Sequence, residues 1–368
     1  MIKNNRFSFT VYSFYLVIFI FLTTNNLSVE ELVIEANQTD ITSYKQIYEA
    51  SPKLPEKQDD LQKHVSQRFL VHYSVGFLAK FFNLEPTLIF KIFSIVFYML
   101  IAQVIFKIAT FLKISNREKI IFLSIFFLNP YLIRYYQFNF VQLQDLIFLY
   151  FGFLFCLFVL KKNENWLSIV SLSSIYLKQS GLAFVIASIF YFFLYKKKFF
   201  LKSTLLIFFL FLIILNIKIL SDSMTNEPFP IGNVLNIFSY NFLDFDELLR
   251  FMKFLAYPIL SFFPLIIFMF GKKKILKDDD LKKLIVILLA VLMLIGQPIM
   301  GGPSMTRNLI RLTSLSYPLL LCSLFYIYEI NQFFKKNIFF YSFILFLHVW
   351  SLHPTFSIFK FFNFLRYD

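Results

Sequence analysis

Apolar segments close to the thickness of a bilayer recur from one end of this sequence to the other, and lysine clusters stand at alternate junctions between them. The segments are 7–22, 88–112, 120–136, 143–160, 182–195, 205–220, 251–270, 284–299, 309–330 and 338–350. A helix needs roughly 20 mostly apolar residues to cross the hydrocarbon core. Helices this apolar do not suit the surface of a water-soluble protein. The sequence therefore predicts an all-α, polytopic integral membrane protein, and any chemistry must sit in its loops or at the few polar residues held at membrane depth.

The chain is 58% hydrophobic and 16% charged, and no polar stretch is long enough to form a soluble domain. The longest are 23–67 and 221–250. The expected organisation is one membrane domain, 1–368, with a first outer loop at 23–86 and a second at 221–250. The net charge of +14 raises nucleic acid as a partner. The distribution speaks against it. Lys161 and Lys162, Lys196 to Lys198, Lys272 to Lys274, and Lys335 and Lys336 all end apolar segments, as the positive-inside rule places them. No basic face remains for a nucleic acid, and membrane lipids are the expected neighbours. The 55 phenylalanines, with many Ile, Lys, Asn and Tyr, share AT-rich codons and are explained by a low-GC genome. Cys156 and Cys322 lie within apolar segments and say nothing about redox compartment. After Lys3 and Arg6 the first segment reads as an uncleaved helix, because Thr23-Thr24-Asn25-Asn26 offers no small-x-small cleavage site.

One orientation satisfies every lysine cluster. The N-terminus is inside and the acidic 23–67 loop outside. Residues 68–83 form a short amphipathic stretch, read as an interfacial or re-entrant helix. The segment 166–195 splits into a hairpin of two short helices around Lys178-Gln179-Ser180-Gly181, and the total is about eleven spans. No internal repeat is evident.

The unusual polar residues gather on the outer side. Asp40, Tyr44 and Tyr48 share one face of a short helix. A carboxylate there is a candidate general base toward a hydroxyl; the same pattern also fits an acidic solvated loop resting on the membrane. Arg68 stands four residues after His64 and four before His72. Its planar fork suits a phosphate, or snorkels to headgroups. Arg134 and Asp145 flank the turn after Asn129-Pro130 and are candidates for a structural ion pair. Lys178, at the hairpin tip, is an anion ligand or an interface marker. Gly301-Gly302-Pro303 makes a sharp turn, after which Arg307 and Arg311 share one face of a helix start. Two guanidiniums there make a candidate pyrophosphate clamp. No Gly-rich phosphate loop, His-Glu-x-x-His or Cys-x-x-Cys is present.

These features in this order resemble the GT-C superfamily of membrane glycosyltransferases, which use polyprenyl-phosphate sugars. The order is an inside N-terminus, one helix, an outer loop with Asp40 and Tyr44, Gln67-Arg68-Phe69-Leu70, the Asn129-Pro130 turn, the Leu177 to Gly181 tip and a late outer arginine. The resemblance implies inverting sugar transfer from a lipid-linked donor in the bacterial inner membrane. It implies a first-loop acidic residue as base or metal ligand, here Asp40 with Glu35 as substitute. A divalent metal is thus compatible with the site, and the sequence names no cofactor. The donor phosphate would fall to Arg68, Lys178, Arg307 and Arg311, with Tyr44 beside the substrate. The chain departs from the family in lacking a paired Asp-Glu in loop 1 and in having no soluble C-terminal domain. A transporter or flippase of lipid-linked saccharides is the alternative, resting on Gln103 and Asn216 in mid-segment, and an O-antigen polymerase or ligase is a third.

Overall fold

A computed structural model describes residues 2–24, 39–57, 59, 61–195, 199–226, 260–299 and 305–352. Among them the chain is nearly all helical. The helices are α1 (Ile2–Thr23), α2 (Thr39–Ala50), α3 (Lys63–Ser66), α4 (Phe69–Phe82), α5 (Pro86–Phe111), α6 (Asn116–Phe127), α7 (Ile133–Phe138), α8 (Leu143–Lys161), α9 (Glu164–Leu177), α10 (Leu182–Tyr195), α11 (Phe199–Met224), α12 (Asp278–Ile299), α13 (Met305–Ile327) and α14 (Asn337–Ser351). A two-stranded bridge pairs β1 (Lys272–Lys273) with β2 (Tyr328–Glu329). Among the described residues four helices are long and apolar enough to cross a membrane: Arg6–Thr23, Pro86–Phe111, Leu143–Lys161 and Phe199–Met224. Shorter apolar helical stretches among the described residues include Phe69–Phe82, Gln179–Tyr195, Ser314–Ile327 within α13, and Asn337–Ser351.

Local chemistry explains several boundaries. Ser115 and Glu118 form a reciprocal capping box at the start of α6. That helix stops at Phe127 because Asn129-Pro130 follows: Asn129 Oδ1 accepts from Tyr131 N at 3.0 Å, and Pro130 has no N–H to give a continuing helix. The apolar stretch 120–136 is therefore two helices around a turn. Lys162, with φ of 56°, ends α8 in the left-handed conformation. Asn163 then caps α9 by accepting from Trp166 N at 3.3 Å. The expected break at Lys178 is present. Lys178 is extended, and Gln179–Gly181 is a single 3₁₀ turn before α10. Gly181 is required there, since a Cβ would lie 2.6 Å from the Ser174 carbonyl carbon. With 14 residues each, α9 and α10 extend only about 21 Å.

The chain divides into two compact units. One comprises residues 26–97 and 139–232. In it α9 packs against α8, α10 and α11, and α2 packs against α4. At one end Lys202 pairs with Glu164, and Lys162 Nζ sits 5.2 Å from the Tyr195 ring centre. Away from that end, at the C-terminus of α11, Lys63 pairs with Asp222, Ser66 and Ser221 share a hydrogen bond of 2.5 Å, and Asn226 donates to Asp59 at 2.6 Å.

The other unit comprises residues 1–25, 98–138 and 233–368. Here α1 packs on α6 and α7, α6 on α13 and α14, and α12 forms a hairpin with α13. Its core is aromatic. Phe122 stacks on Phe325 at 4.3 Å, and Phe262 on Tyr317 at 5.5 Å. Three lysine-bearing junctions of this unit are tied together. Arg117 donates to the Lys335 carbonyl and, at 2.6 Å, to Asn337. Lys274 donates from N to the Ile327 carbonyl at 2.7 Å and from Nζ to the Phe325 carbonyl at 3.0 Å.

Candidate functional site

The first unit holds a buried polar cluster in an otherwise apolar bundle. Helical periodicity puts Ile41, Tyr44, Ile47 and Tyr48 on one face of α2, and all four are buried. This face lies against α4 at Gly76. A Cβ there would stand 2.7 Å from the Tyr48 carbonyl carbon, so glycine permits the close crossing. One turn earlier on α4, His72 lies flat on Tyr44, with ring centres 3.9 Å apart and planes at 11°. His72 Nε2 donates to the Val141 carbonyl at 2.8 Å, a contact that fixes the proton on that nitrogen. Burial pushes the imidazole down to about 4, so it is neutral at physiological pH.

The residues after Val141 continue the cluster. Gln144 Nε2 donates to Tyr44 Oη at 2.7 Å and to Gln142 Oε1 at 3.1 Å. The next residue, Asp145, receives Lys178 Nζ at 3.3 Å and 3.5 Å on its two oxygens. Both side chains are almost fully buried. Gln179, beside Lys178, accepts from Arg68 Nε at 3.1 Å and donates through Nε2 to Gln67 Oε1. The cluster thus runs from the first-loop helix through the start of α8 to the break before α10, and ends at Arg68. Arg68 is half-buried. Among the described residues its side chain is engaged through Nε alone, which leaves the two terminal nitrogens as donors.

Of the residues singled out from sequence, Tyr44, Arg68 and Lys178 come together here. Tyr44 and Lys178 are enclosed by protein, and Arg68 stands at the edge. Asp40 lies one turn before Tyr44 on the backbone of α2, and its side chain falls outside the described residues, as does Glu35 altogether. Arg307 and Arg311 are one turn apart near the start of α13, with side chains also outside the described residues. The same holds for the side chain of Arg134. Asp145, expected to pair with Arg134, has Lys178 as its described partner. The reason is the α8–α9 hairpin, whose tight Lys162-Asn163 turn returns the end of α9 beside the start of α8. His72, four residues after Arg68, proves to be a core residue. Sequence reasoning gave no role to Gln67, Gln142, Gln144 or Gln179. The run Gln142-Leu143-Gln144-Asp145 at the mouth of an apolar segment was the available signal. Among the described residues no three of His, Cys, Asp and Glu form a metal-ligand set.

The arrangement can hold an anion at Arg68 and keep it there, since the guanidinium is oriented by Gln179 and Gln67. Comparison with known proteins gives no match to a family model, a curated protein or a solved structure.

Proposed function

We propose that this chain is a polytopic glycosyltransferase of the bacterial plasma membrane, moving a sugar from a polyprenyl-phosphate donor to a hydroxyl acceptor on the outer side. The observation that carries the reading is the meeting of Tyr44, Arg68 and Lys178-Gln179 in one cluster. These come from the three segments that the superfamily resemblance puts at the donor site. Arg68 takes the donor phosphate through its terminal nitrogens; Arg307 and Arg311 are the other arginines that the resemblance names for a lipid phosphate. Asp40 accepts the proton of the acceptor hydroxyl as that oxygen attacks the anomeric carbon. The bond from that carbon to the phosphate oxygen breaks, and the configuration inverts. Glu35 is the substitute base.

The topology belonging to this reading has about eleven passes, an inside N-terminus and an outside first loop. It is supported by which junctions touch. The junctions near Arg117, Lys274 and Lys335, all inside on the lysine rule, are joined in one unit. In the other, the inside residues Glu164 and Lys202 pair, as do the outside residues Lys63 and Asp222. A hairpin of about 21 Å falls short of the roughly 30 Å core, so the Lys178 break lies below the outer surface.

One observation favours a second reading. Buried charges such as Asp145 and Lys178 inside a helical bundle also mark transport pathways. The test is to give purified protein in lipid nanodiscs a polyprenyl-phosphate sugar, labelled in the sugar, with acceptors extracted from membranes. Labelled glycoside of inverted configuration, with release of polyprenyl phosphate, is expected. Movement of intact donor across the bilayer without any glycoside would overturn sugar transfer and support transport.

A further inference from the structure

The lysine-bearing junctions of the second unit form a platform whose shape has its own chemistry. The loop after Phe270 is tied to the end of α13 by pairing of Lys272 with Glu329 and of Lys273 with Tyr328. Asn331 donates to the Phe270 carbonyl at 2.9 Å, and a Cβ on Gly271 would stand 2.6 Å from the Glu329 carbonyl oxygen. The 3₁₀ turn Gln332–Lys335 is held in turn by Arg117. Lys272, Lys273, Lys277, Lys335 and Lys336 are all exposed on these tied loops. Among the described residues none of the five has a carboxylate side chain as ion-pair partner. The nearby Asp279 and Asp280 are taken by Lys283, at 2.9 Å and 3.2 Å, and Asp280 also accepts from Tyr326 at 2.5 Å.

Between Lys273 and Lys277 in sequence stands Ile275, 100% exposed. Phe270 and Phe333, beside the lysines in sequence, are more than half exposed as well. A fully exposed isoleucine on a loop fastened by backbone hydrogen bonds is unfavourable in water. Exposed lysines with no carboxylate partner among the described residues attract negative charge. One medium supplies both: the headgroup layer of an anionic leaflet, with acyl chains just beneath it. Lysine stems lie along the apolar boundary while the ammonium groups reach the phosphates.

We propose that this platform is a binding site for anionic phospholipid headgroups of the inner leaflet, with Ile275 inserted among the acyl chains. Placing lysines inside during membrane insertion requires only their charge. The platform fixes their spacing, so it selects lipid in the finished protein. The inference rests on the membrane reading and is independent of sugar transfer, because the experiment reads bound lipid alone.

The experiment uses the purified full chain in neutral detergent, titrated with phosphatidylglycerol or phosphatidylcholine. Retained lipid is counted by native mass spectrometry, and thermal stability is followed in parallel. Phosphatidylglycerol is expected to bind and raise Tm, phosphatidylcholine to do neither, and salt of about 0.5 M to weaken the effect. Each lysine near an anionic surface contributes a factor of about five, so replacing Lys272, Lys273, Lys335 and Lys336 by Gln should weaken phosphatidylglycerol binding on the order of a thousandfold. The same four replaced by Arg should bind within a few-fold of the parent, and Ile275→Ser should weaken binding while keeping its salt dependence. An unchanged lipid preference in the Gln variant overturns the proposal, as does equal binding of phosphatidylcholine. If inorganic phosphate at matching concentration reproduces the Tm rise, the site is for a free anion and the proposal fails. Should the fourfold variant not fold, Lys273→Gln and the salt dependence of the parent decide by the same criteria.

Discussion

Replacing Lys178 by Met isolates what the buried ion pair does. The ammonium stands 3.3 Å and 3.5 Å from the two Asp145 oxygens, longer than the 2.7–2.9 Å usual for a charge-assisted hydrogen bond. At 3.3 Å and an effective dielectric of about 20 the attraction is about 5 kcal/mol. Desolvation costs several kcal/mol for each ion, so the intact pair contributes little net stability. Removing one member is a different matter, because it leaves a carboxylate or an ammonium buried and alone. Lys178→Met and Asp145→Leu should each lower stability by about 3–5 kcal/mol, while the double variant should stand within about 1 kcal/mol of the parent. The assay is reversible unfolding in mixed detergent micelles, read by intrinsic fluorescence, with all four proteins forming a double-mutant cycle. If the double variant is as unstable as either single, the charges do not compensate one another and the reasoning fails. It fails also if Lys178→Met costs less than about 1 kcal/mol, since water would then be reaching the carboxylate.

Gly76→Ala should destabilise by about 1–3 kcal/mol, because its methyl meets the Tyr48 carbonyl. Gly296→Ala, with no described atom within 4 Å of the added methyl, should gain roughly 0.5–1 kcal/mol of helix propensity, and chemical unfolding compares the two. His72 is held at about 4 by burial against an ordinary value of 6.5, so the unfolded chain binds the extra proton between those values. Stability is therefore complete above about pH 6.5 and falls by about 3 kcal/mol as pH drops toward 4. His72→Gln should flatten that fall in an unfolding series against pH. In the transfer assay Asp40→Asn should lower turnover about 10²–10⁴-fold with expression unchanged. Arg68→Gln and Arg307→Gln should each weaken donor binding roughly tenfold to a hundredfold, with Lys restoring part of it. Loss in Glu35→Gln with normal turnover in Asp40→Asn would move the base to Glu35.

What could be read from the sequence was whatever depends on near neighbours. The α9–α10 break at Lys178 was legible because lysine, glutamine, serine and glycine in succession cannot continue an apolar helix at depth. The first-loop helix was legible from the spacing of Asp40, Tyr44 and Tyr48. The partner of Asp145 was not, because pairing across a hairpin depends on how tightly the Lys162-Asn163 turn closes. The position of His72 was not either. An amphipathic stretch has two faces, and hydropathy alone does not say whether the His72 side meets lipid headgroups or the underside of α2. Gly76 settles that choice, and its meaning appears only when the Tyr48 carbonyl is seen beside it.

Why an apolar chain should enclose these groups at all follows from where the cluster ends. Phenylalanine and leucine would fill the space around Tyr44, Gln144, Asp145 and Lys178 without desolvating a charge. Instead, each of these side chains is held by the next: Tyr44 by Gln144, Asp145 by Lys178, and Arg68 by the Gln179 that follows Lys178 in sequence. Arg68 is the half-buried member, and its terminal nitrogens point to no described partner. A polar lattice that terminates in one oriented guanidinium fixes that guanidinium to within the tolerance a phosphate requires. If the lattice served folding alone, its apolar replacement at Asp145 and Lys178 would leave donor binding untouched. If it serves Arg68, the same stable double variant binds the donor phosphate poorly, because the Gln179 that orients the fork is no longer anchored beside a fixed Lys178.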